Sequence, residues 1–284
     1  MRSVANAVAF VTGGASGIGL GIARALAERG ARIAVADVRP DHLEQAQEVA
    51  AAEGWRDRFL ALPLDVTDRV AFAGALAQAE RHLGPLGILV NNAGVGIAGP
   101  VAEATFPDWD WGVGVNLGGV VNGIVAGLPL IRAHGRGGHI VNTASLGALM
   151  PARPTRGIYA TTKSAVIALS EHLRLDLEAS AIGVSVLLPG PTRTNIGDSG
   201  RTRPAHLREG SRFVELEAGS TAPQPFPDNL PWLDPLEAGR MTVDAILGDR
   251  LYIVTHPQYL EAVRTRHAAI EHAIIEAQKA SNHG

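Results

Sequence analysis

A doubly wound α/β fold built on one parallel sheet is what this sequence predicts, on three observations. Short apolar runs of strand length alternate with helix-period stretches along most of the chain. The first run leads directly into a glycine-rich turn that opens a helix. The 284 residues, 46% hydrophobic and 19% charged, suffice for one large core, so 1–284 is read as a single domain.

The strands are read in order at AVAFV (7–11), RIAVA (32–36), FLALPL (59–64), GILV (87–90), HIVNTA (139–144), VSVLL (184–188) and LYIVT (251–255). Each is a near-continuous apolar run, as strands covered on both faces require. Between them GIGLGIARALAERG, DHLEQAQEVAAAEG, RVAFAGALAQAERHLG and YATTKSAVIALSEHLRLDLEAS carry helical periodicity. Two regions break the alternation. Residues 193–235, rich in Pro, Gly and Ser and carrying Phe213, Phe226 and Trp232, are too long for a plain connection and read as a functional or mobile segment. Their aromatics fit substrate contact and loop packing equally well. In the tail, Leu260, Val263, His267, Ile270, Ile274 and Ala277 step by three and four, predicting an extra C-terminal helix over about 258–278 that docks by this stripe.

Composition excludes several functions. A formal net charge of −3 gives no basic surface for nucleic acid or anionic lipid, so neither partner is expected. Without cysteine there is no disulfide, thiolate catalysis or Cys-ligated metal. His267 and His272 are spaced i,i+5, on different helix faces, and no metal site is read. The apolar start of the chain reads as the first strand and not as a leader. GVVNGIVAGLPLI is interrupted by Asn122 and Pro129 and reads as too short to span a bilayer. A cytoplasmic protein is expected.

In TGGASGIGLGIARAL, Gly13, Gly17 and Gly19 stand where a strand turns into a helix. Glycine there permits positive φ and lets backbone N–H groups approach a pyrophosphate. The spacing is not G-x-G-x-x-G. GVGVNLGG (112–119) follows no strand and reads as glycine for close helix packing, and HGRGGH (134–139) as a plain loop. Asp37 ends the second strand, where a carboxylate would accept the adenosine ribose hydroxyls and repel a 2′-phosphate, which predicts NAD over NADP. Arg39 reads as a solvated charge opening a helix. In LDVTD, Asp65 and Val66 fit the adenine edge, although Asp65 fits a turn residue equally well and Thr67 a helix cap.

Tyr159 and Lys163 share a helix face in GIYATTKSAV. With this pair and the glycine turn, the chain resembles the short-chain dehydrogenases/reductases. TGGASGIG is similar to that family's glycine loop, NNAG (91–94) to its motif after the fourth strand, Asn116 to its helix asparagine, Ser145 to its serine, YATTK to its Y-x-x-x-K, and PGPTRT (189–194) to its P-G loop. The resemblance is firm over about residues 5 to 195. It implies a Rossmann-type fold, NAD as cofactor, and interconversion of a secondary alcohol and a ketone, with Asn116, Ser145, Tyr159 and Lys163 catalytic. It further implies that Gly13, Ser16, Gly17, Ile18, Gly19, Asp37, Asp65, Val66, Asn91, Ala93, Gly94, Tyr159, Lys163, Pro189, Gly190, Thr192 and Thr194 bind the cofactor, with Asn91 also suited to bracing the sheet. A free tyrosine of pKa near ~10 is a poor base at neutral pH; an adjacent ammonium and a positive nicotinamide both favour its phenolate. Lys163 is therefore expected to tune Tyr159.

The resemblance also implies a long lid over the substrate at about 193–235, a small-molecule substrate and a homodimer or homotetramer, although the family's usual chain end differs from the striped helix here. DSGRTRP, WLDPLEAG and VDAI are similar to the Cα-dehydrogenases that oxidise benzylic alcohols of lignin-type aryl ethers. An apolar or aromatic substrate is expected. An NADP-linked carbonyl reductase and a non-catalytic nucleotide sensor are the alternatives.

Overall fold

The computed structural model describes residues 1, 3–211, 213 and 231–281. Phe226 and most of the middle of 193–235, read as a lid, lie outside them. Seven strands, β1 (Val8–Thr12), β2 (Arg32–Asp37), β3 (Phe59–Pro63), β4 (Leu86–Asn91), β5 (Gly138–Thr143), β6 (Ile182–Leu188) and β7 (Tyr252–Val254), fall on the seven apolar runs. They form one sheet in the order β3-β2-β1-β4-β5-β6-β7, all neighbours parallel. The order reverses between β1 and β4, and in such sheets ligands bind beyond the strand C-termini at the reversal.

Side chains alternate between two cores. Ala9, Val11, Ile33 and Val35 pack on one face with α1 (Gly17–Glu28), α2 (Pro40–Ala52) and later α8 (Pro235–Leu247). Val8, Phe10, Ala34 and Ala36 pack on the other with α3 (Arg69–Leu83) and the helix that ends as α5 (Gly119–Ala133). Where α1 meets α8, a Cβ on Gly21 would lie 2.0 Å from the Pro235 carbonyl oxygen. Gly21→Ala is expected to cost about 3 kcal/mol by overpacking; a denaturant midpoint equal to the parent's would refute the close crossing.

Three expectations are corrected. Asp68, and not Thr67, caps α3, its carboxylate accepting from the Val70 and Ala71 N–H groups at 2.9 Å. The apolar helix is longer than read: α4 (Phe106–Val113), a π-helical turn (Gly114–Gly118) and α5 run on as 28 residues that Pro129 does not end, long and apolar enough by composition to cross a membrane. Here it lies on the sheet, with Gly127 against Leu89 of β4. The third correction concerns α9 (Leu260–Ser281), which forms where the stripe predicts but does not dock by it. None of its residues is buried, and Leu260, Ile270 and Ile274 are exposed. Only its beginning packs, with Ala262 near the buried Tyr259.

Candidate active site

At the reversal of strand order a cavity of about 1170 Å³ opens, larger than an ordinary small-ligand pocket and roomy enough for a dinucleotide with a substrate. β1 delivers the glycine turn to its floor. Gly13 and Gly17 have φ of 57° and 49°, and a Cβ on Gly13 would meet the Ala93 backbone at 2.9 Å. Ser16 is the N-cap of α1 but makes no side-chain cap, so the first N–H groups of the helix are left for an anionic ligand. Thr12 ties the neighbouring loop down: its hydroxyl accepts from the Asn92 and Ala93 N–H groups at 3.0 and 3.1 Å.

Asp37 reaches the same cavity from the end of β2. Burial pushes its carboxyl up, opposed by hydrogen bonds from the Arg39 and Ala15 N–H groups. The neighbouring Arg39 guanidinium is occupied by an ion pair with Asp41, to which its Nε also donates at 2.9 Å. It is thus less available to a 2′-phosphate. Asp65 lines the cavity while accepting from Thr67 N and Oγ1 at 2.9 and 2.8 Å, which holds the turn after β3.

Ser145 follows β5, and α6 (Gly157–Asp176) supplies Tyr159 and Lys163. The Ser145 hydroxyl accepts from Gly147 N at 3.1 Å and hydrogen-bonds the Tyr159 phenol. Lys163 is buried at 3% exposure; its Nζ donates to the Thr143 carbonyl at 2.9 Å and lies 5.9 Å from the centre of the tyrosine ring. The expected tuning by Lys163 does not show in the protein alone. Burial pushes the Tyr159 phenol up, and the Ser145 hydrogen bond and the positive Arg156 pull it back without winning. Burial likewise lowers Lys163 to about 8. Desolvation outweighs attraction because, among the described residues, no carboxylate pairs with the ammonium.

Asn116 sits in the π-helical turn, where the widened helix turns its amide toward Val95. Its Oδ1 accepts from Val95 N at 2.7 Å and its Nδ2 donates to Val95 O at 3.1 Å. A Cβ on Gly94 would stand 3.1 Å from both Asn116 Oδ1 and Lys163 Nζ, so that bare glycine lets the two polar groups flank one loop.

Among residues named for the cofactor, Ser16, Ile18, Val66, Ala93, Gly94, Pro189, Gly190, Thr192 and Thr194 line the cavity with those already placed. Gly19 and Asn91 do not, nor does Asn116 of the catalytic set. Gly19 is pressed against the Gly13 carbonyl and shapes the turn. Asn116 is fully buried. Asn91, 2% exposed, lies outside the lining of this cavity and donates to Asn142 Oδ1 at 2.9 Å, bracing β4 on β5.

The substrate end carries residues that the motifs did not flag: Ile97, Trp111, Met150, Leu207, Arg153, Arg156, Arg203 and Arg266. Its wall is braced by Arg203, which donates to Asp108 at 2.9 Å with both side chains buried and stands 5.1 Å over Trp111. Phe213 belongs to this wall and lines the cavity, and Trp232 lines it from an exposed position.

Residues 7–204 match the short chain dehydrogenase family. The chain belongs to that family. As a short-chain dehydrogenase it is 38% identical over 271 residues to the C alpha-dehydrogenase of a Sphingobium species, a match covering 95% of this chain and 87% of the relative. Its structure is similar to a short-chain dehydrogenase/reductase from Burkholderia phymatum crystallised with NAD, at 32% identity, TM-score 0.85, and coverage of 95% and 96%. The apo form of LigO from Sphingobium is similar at 36% identity, TM-score 0.78, and coverage of 97% and 92%.

Proposed function

We propose that this short-chain dehydrogenase is an NAD-dependent oxidoreductase interconverting a secondary alcohol and a ketone, with an apolar or aromatic substrate. The observation that carries the reading is the meeting of Ser145, Tyr159 and Lys163 in the cavity that also holds the glycine turn and Asp37. The residues fit the cofactor: the uncapped helix start suits a pyrophosphate, and the Asp37 carboxylate suits ribose hydroxyls. Bound NAD would accept the hydride and bring positive charge to the site.

Ser145 would hold the substrate oxygen while Tyr159 Oη takes the hydroxyl proton in oxidation and returns it in ketone reduction. Lys163 would hold the nicotinamide ribose and keep positive charge near the phenol. Because burial alone raises Tyr159, alcohol oxidation is expected to climb with pH. Asn116 would act as a positioning residue, holding the Val95 loop beside Gly94. The apolar wall and the resemblance to a C alpha-dehydrogenase support an aryl substrate. Exposed Val125 and Leu175, together with the bare stripe of α9, support a homo-oligomer, which light scattering would size.

Purified protein with a panel of aryl alcohols and ketones, read at the nicotinamide absorbance, tests the reaction. Absence of turnover with either cofactor would overturn it. Asp37→Ala should erode the preference for NAD over NADP by about tenfold or more, since a charged hydrogen bond is worth roughly 1.5–3 kcal/mol. An unchanged cofactor ratio would remove Asp37 from the ribose site and favour the NADP-linked alternative.

A further inference from the structure

The substrate end of the cavity is lined by Arg153, Arg156 and Arg266, which come from the loop before α6, its N-cap position and the C-terminal helix α9. Among the described residues none of the three forms an ion pair, whereas Arg39, Arg174 and Arg203 each meet a carboxylate. Arg156 is half-buried, and the neighbouring Arg153 is near enough to add to its burden. Arg266 reaches in from α9 to the Ala148 carbonyl, a neutral acceptor. The carboxylates that line the cavity do not answer this charge. Asp37 and Asp65 lie at the ends of β2 and β3, Asp198 faces Arg39, and Asp110 pairs with none of the three.

Holding a partly desolvated guanidinium without a counter-charge is costly unless a ligand supplies one. The backbone here is also strained. Thr155 has φ of 62°, a conformation that a β-branched residue rarely adopts, and Gly99 N holds its carbonyl at 2.9 Å. That constrained turn sets the direction in which Arg156 leaves the helix. Three residues before Tyr159, Arg156 lies about 4.5 Å back along the helix axis.

We propose that this outer end binds a carboxylate carried by the substrate. Arg156 is its direct partner, and Arg153 and Arg266 reinforce the positive potential. A planar guanidinium is suited to two-pronged carboxylate binding. The substrate class is then an aryl ketone or its secondary alcohol with a carboxylate a few bonds from the reacting carbon. The aromatic part lies along the Trp111 and Phe213 wall. In this arrangement α9, whose outer stripe is bare, contributes to the substrate site through Arg266.

The inference rests on the proposed reaction for its substrate, so the test reads binding and not turnover. NAD-loaded protein, with which a ketone cannot exchange hydride, is titrated by calorimetry with 4-oxo-4-phenylbutanoate and with its methyl ester. The acid is expected to bind at least about tenfold more tightly, as a charge-assisted hydrogen bond predicts. That advantage should shrink in high salt. In the Arg153→Gln, Arg156→Met double variant the acid-to-ester ratio should fall to about one, with NAD affinity and melting temperature reporting that the fold persists. Equal binding of acid and ester by the parent, or a preference that survives the double substitution, overturns the proposal. Failure of every aryl alcohol to be oxidised, with the acid preference intact, would instead overturn the reaction and leave the carboxylate site standing.

Discussion

Tyr159→Phe is expected to lower kcat/KM for both alcohol oxidation and ketone reduction by about a thousandfold or more, within the range measured for loss of a general acid–base group. The substitution removes one oxygen atom and little volume. It leaves Lys163 on the Thr143 carbonyl and the glycine turn untouched. NAD affinity, read by fluorescence quenching, should therefore stay within a few-fold of the parent. A variant with more than a tenth of parental activity would mean that water or another side chain moves the proton. A variant that also failed to bind NAD would mean that the phenol holds cofactor more than it does chemistry.

The second large effect concerns Lys163, whose loss should cut activity steeply and yet strengthen the fold. Its ammonium is buried beside a neutral carbonyl, and burial holds it at about 8 against a usual 10.5. The folded protein therefore binds fewer protons here than the unfolded chain between pH 8 and 10.5. By linkage, stability from this group is present above about 10.5 and is lost as pH falls through about 8. At neutral pH the charged lysine is then a destabilising group worth up to about 3 kcal/mol in the ligand-free protein. Lys163→Met should raise the unfolding free energy at pH 7, read from denaturant melts, by about 1–3 kcal/mol once the orphaned Thr143 carbonyl is allowed for. The gain should fade by pH 10. Activity should fall at least a hundredfold, and any residual alcohol oxidation should need higher pH. A variant less stable than the parent at pH 7 would show that the lysine has a counter-charge in solution, and an unmoved pH profile would show that it does not act on Tyr159.

The strands were readable because a sheet covered on both faces demands unbroken apolar runs of strand length. The glycine turn and the Tyr159–Lys163 pair were readable because φ and helical spacing are local properties. What escaped is geometric. Asn91 and Asn92 are adjacent, but Asn91 ends β4 and spans to Asn142, while Asn92 enters the turn and holds the Thr12 and Gly13 carbonyls. The stripe of α9 was legible as helix, yet periodicity states only that one face is apolar and not what covers it. Arg266 lies 110 positions from Arg156, and nothing local in the sequence brings either to the cavity. The balance between burial and attraction at Tyr159 also required the structure, since adjacency of a cation says nothing about how much water both groups lose.

The most direct measurement is the position of the phenol oxygen in a crystal of the protein with NAD and a bound aryl ketone. The account predicts Tyr159 Oη within about 2.6–3.2 Å of the ketone oxygen, with Ser145 Oγ on the same atom. A ternary complex in which that oxygen is held by other groups, with the tyrosine turned from it, would contradict the account.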